Sequence, residues 1–328
     1  MSIKIQKNIL LSKYTSFKIG GPAKYFCVAE NVEEIKEALE YAEKNKLKIF
    51  ILGGGSNLLI SDEGFSGLVL RITNYELKIK DDEVFVGSGV SLAKLVSESV
   101  KNNLTGLEWA TGIPGTIGGA IVNNAGANGG CLGDVVEEVE VFKNPSNPLC
   151  EKGKCTPSLK KGVGGIFKLD NKQCNFSYRN SIFKEEKKYI ILNAVLKLKK
   201  GDKTKSEEVI AEILKTRKEK QPLEYPSAGS IFKNPEVDEK YLKNLIKKYS
   251  ELKNIAKNNT IPAGWLIEQI DELKNKKIGG AMISEKHCNF IVNFNNAKAE
   301  DVVILISLIK QKIRMCFNIQ LREEIEYL

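Results

Sequence analysis

A chain of 328 residues, 42% hydrophobic and 28% charged, has the composition of a globular protein of two or three domains and excludes a disordered or collagen-like one. It contains no run of 18 apolar residues and opens without a charged-then-apolar-then-small leader, so neither a membrane span nor export is expected, and the cytoplasm is the expected compartment. The formal charge of +9 fits a solvated lysine-rich surface or a cationic cleft for anionic ligands; with lysines spread along the chain and no nucleic-acid module recognisable, neither nucleic acid nor a membrane is an expected partner.

The first segment reads strand, helix, strand. A helical apolar pattern covers Val32 to Asn45, entered at Asn31 with Glu34 three residues on, a capping arrangement. A short buried strand, Lys48 to Leu52, runs into Gly53-Gly54-Gly55-Ser56-Asn57, and two short strands around a glycine turn follow. The second segment has a strand at Val84 to Val86, a helix from about Ser91 to Asn102, a glycine-dense stretch from Thr111 to Gly133 and a partly alternating strand at Tyr189 to Leu198. Asn144 to Gly165 reads as a loop or insertion. Ser206 to Lys220 is expected as a helix with Val209, Ile210, Ile213 and Leu214 on one apolar face, stopped by Gln221-Pro222 at a domain boundary.

The third segment holds a helix at Tyr241 to Tyr249, another starting with Pro262 in its first turn, a strand in His287 to Phe294 and a long helix from about Ala299 to Cys316. The terminal run Ile319 to Leu328 is expected as a strand returning to an earlier sheet. The expected domains are residues 1–72, 73–220 with the insertion at 144–165, and 221–316, with 317–328 returning near the first. In a reducing compartment the seven cysteines should be mostly free thiols. Cys150 and Cys155 are the close pair, but no second pair at knuckle spacing follows, so no metal is expected.

Two glycine loops carry the functional signal. The loop at 53–57 lacks the GxGxxG of a Rossmann turn and the Gly-Lys-Ser/Thr of a Walker loop. Consecutive glycines let main-chain N–H groups converge on an anion, and Ser56 and Asn57 add side-chain donors. In the second loop, Gly112 and Gly115 precede Thr116, Gly118, Gly119 and Ala120, and a helix start there would present its dipole to a diphosphate. Either the loops are two tight turns or together they form a dinucleotide site.

Six motifs, in order from about residue 10 to the C-terminus, carry a resemblance. They are Tyr14–Ala23 (YTSFKIGGPA), Gly53–Asn57 (GGGSN), Gly106–Gly119 (GLEWATGIPGTIGG), Tyr178–Ser181 (YRNS), Ala228–Pro235 (AGSIFKNP) and Leu321–Ile325 (LREEI). As a set they resemble the UDP-N-acetylenolpyruvoylglucosamine reductases, and the spacing between Arg179 and Ser230 looks like the subgroup lacking an extra substrate-capping loop. The resemblance implies an α+β fold: an FAD-binding fold of the vanillyl-alcohol-oxidase type in two α+β subdomains, plus a third α+β substrate-binding domain. It implies non-covalent FAD, NADPH as co-substrate, and reduction of UDP-N-acetylglucosamine enolpyruvate to UDP-N-acetylmuramate, with hydride from flavin N5.

Residue by residue, it implies Ser230 as proton donor with Arg179 and Glu324 in the active site. It places Gly53, Gly54, Gly55, Ser56, Asn57, Leu58, Thr111, Gly112, Gly115, Thr116, Gly118, Gly119 and Ala120 at the cofactor, and Lys233, Asn234, Lys286 and His287 at the substrate. The 144–165 insertion departs from the family's compact strand connection. The rival readings are an oxidase of the same fold, and a non-catalytic nucleotide-sugar or nucleic-acid binder. Many such oxidases tether FAD through an N-terminal histidine, and His287 is the only histidine here.

Overall fold

The structure, a computed structural model, describes residues 3–143 and 165–328, so Cys150, Cys155 and nearly all of the insertion lie outside the described residues. The chain divides into two compact units. The first comprises Met1–Ile9, Ala23–Gly54 and Phe65–Arg217, and the second Leu10–Pro22, Gly55–Gly64 and Lys218–Leu328.

In the first unit, strand Phe65–Ile72 pairs in parallel with Pro22–Ala29 on one side and Ile49–Leu52 on the other. Parallel strands joined by a helical crossover are covered, which is why Gly67 to Leu70 are all buried. The crossover is helix Val32–Lys44, whose Asn31 cap accepts from Glu34 N–H at 2.9 Å. It lays Ile35, Ala38, Leu39 and Ala42 on Cys27, Leu68 and Leu70.

A second sheet is antiparallel throughout, in the order Gly165–Asp170, Val136–Lys143, Tyr189–Lys197, Glu83–Gly87, Leu77–Lys80. Its irregular alternation has a physical cause. Glu140 pairs with Asn193 but Val141 pairs with Ile191, so Leu192 is an extra, bulged residue. The bulge lets Ile191 and Ala194, an odd and an even position, face the core shared with Val139, Val141 and helix Leu92–Lys101. Ile190 and Leu192 face the other core, with Ile35 and Leu70.

The second unit is built on an antiparallel sheet ordered Ser227–Ser230, Phe290–Asn293, Ala281–Ile283, Lys277–Ile278. Helix Ala299–Phe317 buries Val302, Leu305, Ile306, Ile309 and Ile313 in the same core, to which Phe17, Ile19 and Leu59 come from distant sequence. Strand Glu326–Tyr327 pairs in parallel with Leu58–Leu59. The helix begins at Ala299, whose N–H donates to Asp62 Oδ2 at 2.8 Å. Among the described residues no helix is long and apolar enough to cross a membrane.

Several elements differ from expectation. Gly165 opens a strand rather than closing a loop; that strand, Gly165–Asp170, is largely exposed although it carries Ile166, Phe167 and Leu169. Helix Lys203–Lys220 does not bury the expected face: Val209 is 44% and Leu214 47% exposed, Ser206 is its buried residue, and only Ile210 packs on a core. Charge dominates this helix, so a short apolar run does not decide its orientation. Pro262 stands at the position just before helix Ala263–Glu268, one residue short of its first turn. The terminal strand shrinks to two residues.

Replacing Asp62 by Ala removes the acceptor at the start of Ala299–Phe317. Urea unfolding should show a loss of about 1 kcal/mol with an unchanged m-value.

Candidate active site

The two glycine loops touch main chain to main chain. A Cβ on Gly54 would stand 2.6 Å from Gly115 Cα, and one on Gly53 would stand 2.9 Å from Thr116 Oγ1. No side chain fits between them. Gly115 in turn accepts from Leu92 N–H at 3.2 Å, Ile117 N–H donates to Val90 O at 2.8 Å, and Gly118 N–H donates to Ser88 O at 2.9 Å. Ser88 N–H donates to Leu192 O at 2.9 Å, so the sheet bulge is wired to the loop.

These bonds change the reading of the helix start. Helix Ile117–Val122 has only six residues, and the N–H groups of Ile117 and Gly118 are already bonded to protein carbonyls. Ala120 is buried and its N–H bonds Thr116 O. Gly119 is different: among the described residues a Cβ there would meet only Thr116 Oγ1 within 4 Å, at 3.8 Å. Thr111 is buried, and its Oγ1 has no hydrogen-bond partner among the described residues.

Arg179 is fixed to the far end of the same helix. It lies in the turn Ser177–Asn180, closed by reciprocal main-chain bonds of 3.1 Å, with φ of +54°. A non-glycine residue held there is strained by about 1 kcal/mol or more. Asn124 Nδ2 donates to Ser177 O at 2.9 Å, Ser181 Oγ to Val122 O at 2.7 Å, and Arg179 Nη2 to Gly126 O at 2.7 Å. Together with Tyr178, Asn171 and Lys172, Arg179 lines an open cleft of about 620 Å³.

The second unit gathers Ser230 and Glu324. Ser227 pairs with Val292 and Ser230 with Phe290, one residue out of step, and Gly229 takes up the bulge with φ of +77°. Such a bulge re-aims the following side chain, here Ser230. Glu324 N–H donates to Ile231 O at 2.7 Å and Lys233 N–H to Arg322 O at 2.9 Å, which lays the terminal segment along the Ser230 strand. Asn57 Nδ2 holds Glu324 O at 3.1 Å, and Leu58 is buried beside Glu326, so both serve the terminal segment. Gly55, with φ of +62°, lies against Tyr14, where a Cβ would collide with the carbonyl oxygen. Ser56 joins Gly55 to Asn57.

The residues expected at the substrate divide. Lys233 is half-buried beside the Ser230 strand. Asn234 Oδ1 accepts from Ala263 N–H at 2.9 Å and so caps a helix. Lys286 pairs with Glu224 at 3.1 Å on the surface. His287 Nδ1 accepts from Asn289 N–H at 3.3 Å, and its ring lies 4.9 Å from that of Phe290.

Residues 221–328 match the family described as UDP-N-acetylenolpyruvoylglucosamine reductase, C-terminal domain, and residues 23–146 match the FAD binding domain family. The chain is 36% identical to the UDP-N-acetylenolpyruvoylglucosamine reductase of Clostridium novyi over 98% of its length and 91% of that protein's. With that of Caldanaerobacter subterraneus it shares 37% identity, covering 98% and 93%. The chain belongs to the UDP-N-acetylenolpyruvoylglucosamine reductase family. The crystal structure of the Thermus caldophilus reductase superposes with a TM-score of 0.71 at 31% identity, covering 100% of this chain and 99% of that one. The α+β FAD-binding fold implied by the sequence motifs is therefore the fold of this reductase.

Two residues of this reductase gain a place that their sequence context did not signal. Arg217, in a run that reads as a solvated helix end, lies over Gly112, where a Cβ would come 2.7 Å from its Nε. It is half-buried, has no hydrogen-bond or ion-pair partner among the described residues, and burial lowers its pKa. Asn289, inside an apolar run, is buried and bonds the Ser230 strand through its side chain.

Burial pushes the His287 pKa below its ordinary 6.5, against the pull of Glu268. The unfolded chain therefore binds a proton near pH 6.5 that the folded chain refuses until lower pH, and stability falls as pH drops through 6.5. Urea melts between about pH 7.5 and 5.5 should show a steeper loss for wild type than for His287→Gln; parallel curves would refute this.

Proposed function

We propose that this chain reduces UDP-N-acetylglucosamine enolpyruvate to UDP-N-acetylmuramate with NADPH, in the making of peptidoglycan precursors. The observation that carries the proposal is full-length similarity to reductases of that name, at 36–37% identity over 98% of the chain. Both small-molecule partners are soluble anions, which suits a cytoplasmic enzyme. Residues 1–72 and 73–220, each built on its own sheet, are assigned to two FAD-binding subdomains. Residues 221–316 are assigned to the substrate.

The first unit fits FAD on three counts. The paired glycine loops expose main chain, Thr111 Oγ1 is buried without a partner among the described residues, and Arg217 is a half-buried cation without one. Gly119 adds a fourth: glycine inside a helix costs about 1 kcal/mol relative to alanine. Nothing among the described residues crowds its Cβ position, so a ligand passing close is the reason for it. When bound, FAD supplies a two-electron carrier between NADPH and the enol ether.

The enol ether gains a hydride and a proton overall. Hydride addition leaves charge on the carboxylate-bearing carbon and its carboxylate, which a planar guanidinium such as Arg179 meets with a bidentate fork. The bond to Gly126 O orients that guanidinium. Ser230 Oγ donates the proton and regains one from solvent, and the bulge at Gly229 fixes its aim. Glu324 polarises the same group.

Gly119→Ala should keep or slightly raise the stability of the flavin-free protein while weakening FAD binding about tenfold, read from flavin fluorescence titration and urea melts. Unchanged affinity would remove Gly119 from the cofactor site. Ser230→Ala should retain FAD and still bleach with NADPH under anaerobic conditions. Return of colour on adding the enolpyruvyl substrate should slow about 100-fold or more. Normal recolouring would take Ser230 out of the reaction.

A further inference from the structure

We infer that Asn289 is a positioning residue for proton delivery, acting through the main chain of the strand that carries Ser230; the inference rests on Ser230 as proton donor. Asn289 is only 4% exposed and its amide is fully engaged with one residue. Its Oδ1 accepts from Phe232 N–H at 3.0 Å and its Nδ2 donates to Phe232 O at 2.9 Å. Its main-chain oxygen accepts from Ile231 N–H at 2.8 Å, and its own N–H is taken by His287 Nδ1.

The need for such a clamp follows from the bulge. After Gly229 the strand is out of step, and regular pairing with Phe290–Asn293 ends at Ser230. Beyond that point main-chain bonds hold Ile231, through Asn289 O and Glu324 N–H, and Lys233, through Arg322 O, and leave Phe232 between them to the Asn289 side chain. The Asn289 amide presents a donor and an acceptor side by side, as a neighbouring strand would, and extends the pairing past Ser230 to Phe232. A serine hydroxyl is a poor acid whose contribution depends on being held close to the carbon it protonates. Misplacement by about 1 Å can cost 100-fold in rate, so a flexible strand after Ser230 would slow the second half-reaction.

The role predicts a specific split. In holoenzyme carrying Asn289→Ala, flavin bleaching by NADPH should stay within about twofold of wild type, while reoxidation by UDP-N-acetylglucosamine enolpyruvate slows about tenfold or more. The solvent deuterium isotope effect on that step should rise, and the Phe232 amide should exchange faster with solvent. Asn289→Gln keeps both amide groups one methylene further out and should fall between; if the Ala variant fails to fold, the Gln variant decides alone. Reoxidation within twofold of wild type in folded variants, or equal losses in both half-reactions, would overturn the positioning role. Ser230→Ala measured in parallel separates the two claims. If it recolours normally, the proton-donor reading itself fails; if it is blocked while Asn289→Gln is normal, only the positioning role does.

Discussion

The contact on which the first unit depends is one between two backbones. Gly53 and Gly54 approach Gly115 and Thr116 so closely that any side chain would hold the loops apart. Close approach of main chain to main chain is costly in conformational entropy, because glycine is the freest residue in the unfolded chain. It is sustained by hydrogen bonds behind the second loop, from Leu92, Ile117 and Gly118. The outward side of the loops is thereby left to backbone and small groups.

A second theme is the use of amide side chains in place of secondary structure. Asn124 ties the Arg179 turn to Gly133, donating to Ser177 O and accepting from Gly133 N–H. Asn57 holds the terminal segment, and Asn289 extends a strand beyond its bulge. Each amide offers a donor and an acceptor a fixed distance apart, the pattern a peptide group presents. Asn124 and Asn289, buried and satisfied at both ends, each specify a single arrangement.

Much of this was legible in the sequence where a residue type has one physical use. The glycine runs marked the loops, Asn31 and Ser91 marked helix starts, and the ordered motifs marked the family. What stayed hidden depends on distant pairing. Leu192 looks like any other apolar strand residue until its partner strand shows it to be extra. Arg217 reads as solvent-facing charge until Gly112 is seen beneath it. The face of Lys203–Lys220 was misjudged because Val209 and Leu214 suggested a core that the charged helix does not bury. Asn234 sits within a recognisable motif and Lys286 was expected at the substrate, yet their side chains bond Ala263 and Glu224.

The bulge at Leu192 bears on how this gene can change. Losing the single codon for Leu192 would leave Ile191 and Asn193 adjacent, and strict alternation would still point Ile191 and Ala194 into the same core. The sheet would lose one side chain from its other face and become more regular. It would also displace the carbonyl that holds Ser88, whose own carbonyl bonds Gly118 N–H. Leu192 is thus at once a buried side chain in the core of Ile35 and Leu70 and the source of the carbonyl behind the glycine loop, so a deletion there would be felt in the packing and in the loop together.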